Sequence, residues 1–388
     1  MKGVAISLYD KFDDLAILVD TIRHNWESDV FISVCSNHPQ TEVKIDADNL
    51  DIDQFQRGAQ IRYDNELSES RGRNNLHLRI YDNIRTSCRP IIENTEVDYF
   101  MHLHADAWPL TDSGFDAIIH ELENERAAVA FPSETEMFHE SYPPGFIEDQ
   151  FIVFDNAVAR DVDLFDQKPL ELPPMSIHIL LGMILTSKFG WNRLYQYTNG
   201  TKRIHWDGFP SPTNVRPMFY NPEYDQLHVA TGDFDETLGK ELQAYYLAKY
   251  ELTEGENISR FLEKYERPKG KLFRDLEAYF NSLSKQLPIG ISAKTFNRDV
   301  RLIREYLQTD SSASRLKMLM RRNQQNAFYP VMKGIYDMVQ RLTDSSHRNK
   351  RDNQHPDRTI NERFREDLKA TDFPEDLKKI YQESFNDD

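Results

Sequence analysis

Cysteine is scarce: the 388-residue chain holds two, Cys35 and Cys88. A framework of disulfides is thereby excluded, and although one bridge is arithmetically possible, so low a count suits two half-buried thiols in a reducing compartment. Long apolar runs are also missing. None approaches the ~20 residues needed to span a bilayer, so a soluble or at most peripheral protein is expected. The opening segment Met1–Tyr9 is too short for the apolar region of a signal peptide and reads as a first strand. Basic residues are outweighed, 47 Lys and Arg against 64 Asp and Glu, for a net charge of −17. A surface of that sign repels a polyanion, so nucleic acid is not an expected partner. No repeat of fixed period occurs, which excludes a solenoid.

What is present suits a packed globule: 39% of residues are hydrophobic and 12% aromatic. Val4–Leu8 and Val30–Cys35 are short apolar runs of the kind that form buried strands, and Asp14–Asn25 between them has helical spacing. Arg73–Asn94 reads as helical as far as Pro90, where the ring removes a backbone donor. A strand follows at Asp98–His104, a helix at Asp112–Glu125, a strand at Ala127–Pro132, and a loop before a further strand across Ser133–Phe154. Ser176–Gly190 is a helix with Ser176 as N-cap and Gly190 as its stop. The alternation of strand and helix predicts an α/β fold with a mainly parallel sheet flanked by helices. Composition changes near Thr253, and amphipathic helices are expected over Ile258–Tyr265, Leu272–Leu283, Phe296–Leu307 and Val331–Leu342. The expected division is a main domain over 1–252, a helical appendage over 253–344, and a polar linker with short helices over 345–388.

In parallel sheets of this kind ligands bind beyond the carboxyl ends of the strands. Tyr9, Asn37 and Asp106 fall at such ends. His102, His104 and Asp106 recur at a spacing of two, which on a strand places alternate side chains on one face. Imidazole and carboxylate together suit a divalent metal. Asp106, just past a buried strand, is the strongest candidate, and His102, deeper in the strand, is more simply read as packed in the sheet.

The order of these elements resembles the glycosyltransferase-A superfamily. That resemblance implies a Rossmann-like catalytic domain with an Asp-x-Asp motif ending the central strand. The motif would hold a metal, Mn²⁺ or Mg²⁺, on a nucleoside-diphosphate sugar. This chain has His104-Ala105-Asp106 there, so the second carboxylate is present and the first is replaced. Ser70-Arg71-Gly72-Arg73-Asn74, followed later by His102-Leu103-His104, is similar to segments of rhamnan-synthesis-type transferases, without the lysine expected soon after. The resemblance implies that Tyr9, Asn37, Arg71, Arg73, His104 and Asp106 contact the donor. It adds Asp106, His104 and His205 as metal ligands, with His228 as the weaker match for the last. A general base is sought before a helix ending in Gly, which points to His178, with Asp149 and Glu171 as competitors; His is suited by its ordinary pKa.

The implied function is transfer of a sugar from a nucleoside-diphosphate donor to a glycan or lipid-linked acceptor for cell-surface polysaccharide, in the cytoplasm. The basic stretch Lys294–Arg351 suggests contact with the inner membrane surface, with packing on the main domain or homo-oligomer formation as the other roles. Two further readings compete: a metal-dependent hydrolase built on the His-x-His-x-Asp cluster, in the manner of an amidohydrolase barrel, and a non-catalytic binding protein.

Overall fold

The computed structural model describes residues 1–39, 41, 50–59, 69–132, 147–169, 172, 177–190, 193–197, 219–221, 223–229 and 236–284. The expected helices at Phe296–Leu307 and Val331–Leu342, the basic stretch Lys294–Arg351 and the last 44-odd positions from 345 onward lie outside them.

The chain opens with β1 (Lys2–Leu8), α1 (Phe12–Asn25), β2 (Val30–Ser36) and β3 (Gln54–Arg57). It continues through α2 (Glu69–Glu93), β4 (Tyr99–His104), β5 (Ala107–Pro109), α3 (Asp112–Asn124), β6 (Val129–Phe131), β7 (Ile152–Asp155) and α4 (Asn156–Asp161). Next come α5 (Ile177–Phe189), β8 (Leu194–Gln196), β9 (Phe219–Asn221) and β10 (Gln226–His228). The described chain ends with α6 (Glu236–Lys249), α7 (Glu256–Tyr265) and α8 (Lys269–Ser284). No helix among the described residues is long and apolar enough to cross a membrane.

Seven strands form one sheet in the order β3-β2-β1-β4-β7-β6-β8. The α/β architecture expected from the sequence, a mostly parallel sheet between helices, is the one observed. Its single departure from parallel is β7, which runs against both β4 and β6. The sheet is open, with β3 and β8 at its edges. Among the described residues the strands do not close into a barrel of the amidohydrolase kind, on which the hydrolase reading was built. A second sheet of three short strands, β5-β10-β9, is antiparallel.

Pleating explains the layers. Val4, Ile6 and Leu8 of β1 face a core with Leu15, Leu18 and Ile22 of α1, Phe115 of α3 and Leu242 of α6. Ala5, between them, faces the opposite core with Ile84 and Ile91 of α2, Ala159 of α4 and Leu181 of α5. The chain passes Thr253 without leaving the first core: Ile258, Phe261, Leu272 and Phe273 belong to it, and the Phe261 ring meets Trp108 edge-on at 6.2 Å.

Two local expectations are corrected. The helix thought to stop at Pro90 runs on to Glu93. Proline forfeits one hydrogen bond near the helix end, while Ile91 and Ile92 beyond it are buried against the sheet. Its start is also earlier than expected: the helix begins at Glu69 and not at Arg73, so the Ser70–Asn74 segment forms its first turns. Gly190 does end α5, with φ of +73° and its N–H on the Thr186 carbonyl, while Ser176 lies outside the described residues.

Candidate active site

The carboxyl ends of β1, β2 and β4 open on the same edge because the three strands are parallel. On β4, His102 is fully buried, and its Nε2 is hydrogen-bonded to Ser7 Oγ on β1 at 3.1 Å. Burial, and then the charge of neighbouring His104, push the His102 imidazole down to about 3. A group held neutral in the sheet interior is a packing residue.

His104, at the strand end, directs Nε2 to Asp149 Oδ2 at 3.4 Å. The antiparallel register places Ile152 of β7 opposite His102. Phe151, just before β7, takes the left-handed conformation at φ +54°. The chain turns there and delivers buried Asp149 to His104.

Asp106 follows in the turn between β4 and β5, and its Oδ1 lies 3.6 Å from His228 Nε2. His228 pairs with Ala107 in the three-stranded sheet, which is why it arrives beside Asp106. Burial by itself would raise the Asp106 carboxyl. The contact with His228 and the charges of His228, His104 and Lys11 outweigh it and hold the group well below the ordinary carboxylate range. The three residues spaced by two have separate partners: His102 turns to Ser7, as its reading as a packed residue implies, His104 to Asp149 and Asp106 to His228. His205 lies outside the described residues. The sequence favoured His205 over His228 because Trp206 and a turn follow it; the pairing of β10 with β5, which brings His228 to Asp106, left no signal there.

The two candidate bases lie together. Glu148, Asp149 and His178 each present one nitrogen or oxygen, all within 4.8 Å of one another. His178 Nδ1 donates to the Ile147 carbonyl at 3.1 Å, which fixes the proton on that nitrogen. Glu171 lies outside the described residues.

At the end of β1, Tyr9 is 39% exposed, so it is not a core aromatic. The Arg79 guanidinium lies over its ring at 4.2 Å, and the His38 ring is 4.9 Å away on the β2 side. Asn37 is buried, and its side-chain amide donates to the Arg79 carbonyl at 3.1 Å. Arg71 and Arg73 lie in the first turns of α2, and their side chains are outside the described set. Arg79, one turn or more further along that helix, is the basic residue that sequence reasoning missed. It stands in a polar stretch with no motif around it.

No family model matches the chain, and no curated protein matches it. Among solved structures it is similar to residues 1–349 of S. aureus TarS, at 10% identity over 80% of this chain and 92% of that one, with a TM-score of 0.32. It is also similar to a cytidylyltransferase from Leptospira borgpetersenii serovar Hardjo-bovis, at 15% identity over 51% of this chain and 76% of that one, with a TM-score of 0.30. Both superpositions are loose.

Proposed function

We propose that this chain is a glycosyltransferase that moves a sugar from a nucleoside-diphosphate donor to a glycan or lipid-linked acceptor. One observation carries the reading: two separate carboxylate–imidazole pairs, Asp106–His228 and Asp149–His104, stand side by side at the carboxyl edge of the parallel strands. That is the edge at which such sheets bind nucleotides. A transfer of this kind needs one group for the diphosphate and another for the acceptor proton, held apart.

In this reading Tyr9 and Arg79 form the platform for the base, as an aromatic face and a guanidinium suit a planar heterocycle. Asp106 and His228 are the residues that would hold a divalent metal, Mn²⁺ or Mg²⁺, the carboxylate being the ligand type that suits either ion. Such an ion supplies positive charge to the departing nucleoside diphosphate. Asp149 takes the proton of the acceptor hydroxyl as its oxygen bonds to the anomeric carbon. The bond from that carbon to the diphosphate oxygen breaks, and its electron pair leaves with the nucleotide. His104 holds the Asp149 carboxylate in place, with a ring nitrogen of His178 within 4.8 Å of it.

The test is direct. Purified full chain is incubated with UDP-, GDP- and dTDP-sugars, and donor binding and sugar release or transfer are measured. At least one donor is bound and turned over, and Asp106→Ala lowers turnover by about 100-fold or more. Absence of binding and turnover across the panel overturns the reading, and binding without turnover favours a non-catalytic relative.

A further inference from the structure

The two pairs that define the site sit on segments far apart in the chain, and one buried hydroxyl touches both segments. Tyr197 follows β8 and is 1% exposed. Its hydroxyl donates to the Phe151 carbonyl at 3.0 Å and receives the Gln226 side-chain amide at 2.9 Å. Phe151 is the left-handed residue whose turn delivers Asp149 to His104. Gln226 is fully buried on β10, two residues before His228, so the two side chains leave that strand on the same face.

We infer that Tyr197 is a positioning residue whose hydroxyl sets the Asp149–His104 pair relative to the Asp106–His228 pair. A non-glycine residue persists in the left-handed region only when its surroundings over-determine it. The hydroxyl on its carbonyl is such a constraint, and the same hydroxyl is anchored to the strand of the other pair. The phenol is buried, and its hydroxyl is hydrogen-bonded inside the protein. Its effect is therefore on the geometry of the reacting groups and not on donor affinity.

The inference rests on the transferase reading for its kinetic consequence but not for its structural one, and the experiment separates the two. Tyr197→Phe keeps the ring and removes the hydroxyl. Tyr224→Phe is the control: Tyr224 is equally buried, its ring meets that of Tyr197 at 4.8 Å, and its hydroxyl donates to Glu121 at 2.8 Å and lies 3.4 Å from the Tyr197 backbone carbonyl, without touching the Tyr197 hydroxyl, Phe151 or Gln226. Gln226→Met is a second variant that keeps side-chain length while removing the amide donor. Imidazole resonances of His104 and His228 are followed by NMR of histidine-labelled protein, and kcat and donor KM are measured on whichever donor the wild type uses. Tyr197→Phe is expected to shift both imidazoles and lower kcat about 10-fold with donor KM changed by no more than about two-fold. Gln226→Met is expected to shift His228. Tyr224→Phe is expected to leave both imidazoles in place. Unmoved imidazoles in Tyr197→Phe, or equal movement in Tyr224→Phe, overturn the inference. A wild type without turnover whose imidazoles still move in Tyr197→Phe defeats the transferase reading and leaves the positioning role standing.

Discussion

The environment of His102 makes stability depend on pH. Unfolded, its imidazole takes up a proton near the ordinary value of 6.5; folded, burial and His104 hold it neutral down to about 3. Below pH 6.5 the unfolded chain therefore binds more protons than the native one at this position. The native state loses stability as pH falls through that window, and above 6.5 the group contributes nothing to the slope. His102→Gln removes the titration. Thermal midpoints measured from pH 7 to 4 should fall less steeply in the variant than in the wild type, and parallel curves would show that the slope comes from other groups. Asp106 behaves in the opposite sense. Its carboxyl is held low by His228, His104 and Lys11, so it keeps its charge in acid well after ordinary carboxylates have been neutralised.

At the scale of elements, the junction of α1 with the later helices is made by two aspartates. Asp20 on α1 accepts the backbone N–H groups of Asn257 at 2.7 Å and Ile258 at 3.2 Å, which are otherwise unsatisfied donors in the first turn of α7. The cap of α7 thus comes from another helix, because Gly255 before it has no side chain. Gly255 sits at φ +107°, and a Cβ there would lie 2.4 Å from Asp20 Oδ2. Asp20→Ala should cost about 1–2 kcal/mol in chemical denaturation, with faster amide exchange in Glu256–Tyr265. Gly255→Ala should destabilise as well, and an unchanged exchange rate in both variants would contradict the cap. Asp14, one turn and a half earlier, binds Lys240 at 2.7 Å and Gln243 at 2.9 Å in the same interior. These contacts also explain which elements were legible. Apolar runs such as Val4–Leu8 and Tyr99–His104, and the stripe of α7, show their structure in the sequence itself. By contrast α6 buries Lys240, Glu241 and Gln243 beside Leu238, Leu242 and Leu247, so it has no apolar stripe to read. Strands β3, β5, β9 and β10 have three or four residues each and exist through their partners. Of the site, Asp106 was legible from its place after a buried strand. The partners of Asp106 and His104 were not, because β10 and the turn at Phe151 bring them from distant segments.

For the molecule as a whole, the helices after residue 235 complete the core and are not merely attached to it. Leu238, Leu242, Ile258, Phe261, Leu272 and Phe273 are all buried against the face of the sheet that carries α1. A chain truncated at residue 252 would expose Trp108 and its neighbours and leave Asp20 without its helix. It should aggregate on expression, where a chain ending beyond Ser284 stays monodisperse in gel filtration; a soluble, cooperatively unfolding 1–252 fragment would contradict this. The small sheet has a different consequence, one of timing. Thr111 and Asp225, which fasten β5 to the turn before β10, are 114 positions apart in the chain. A nascent chain released as far as α3 already contains Asp106 but has no His228 to set beside it. Pairings of such sequence separation form late, after the loop between them has closed. In refolding, burial of the Trp108 indole under Phe261 should lag behind formation of the parallel strands, so that the protein acquires its large sheet before Asp106 meets His228.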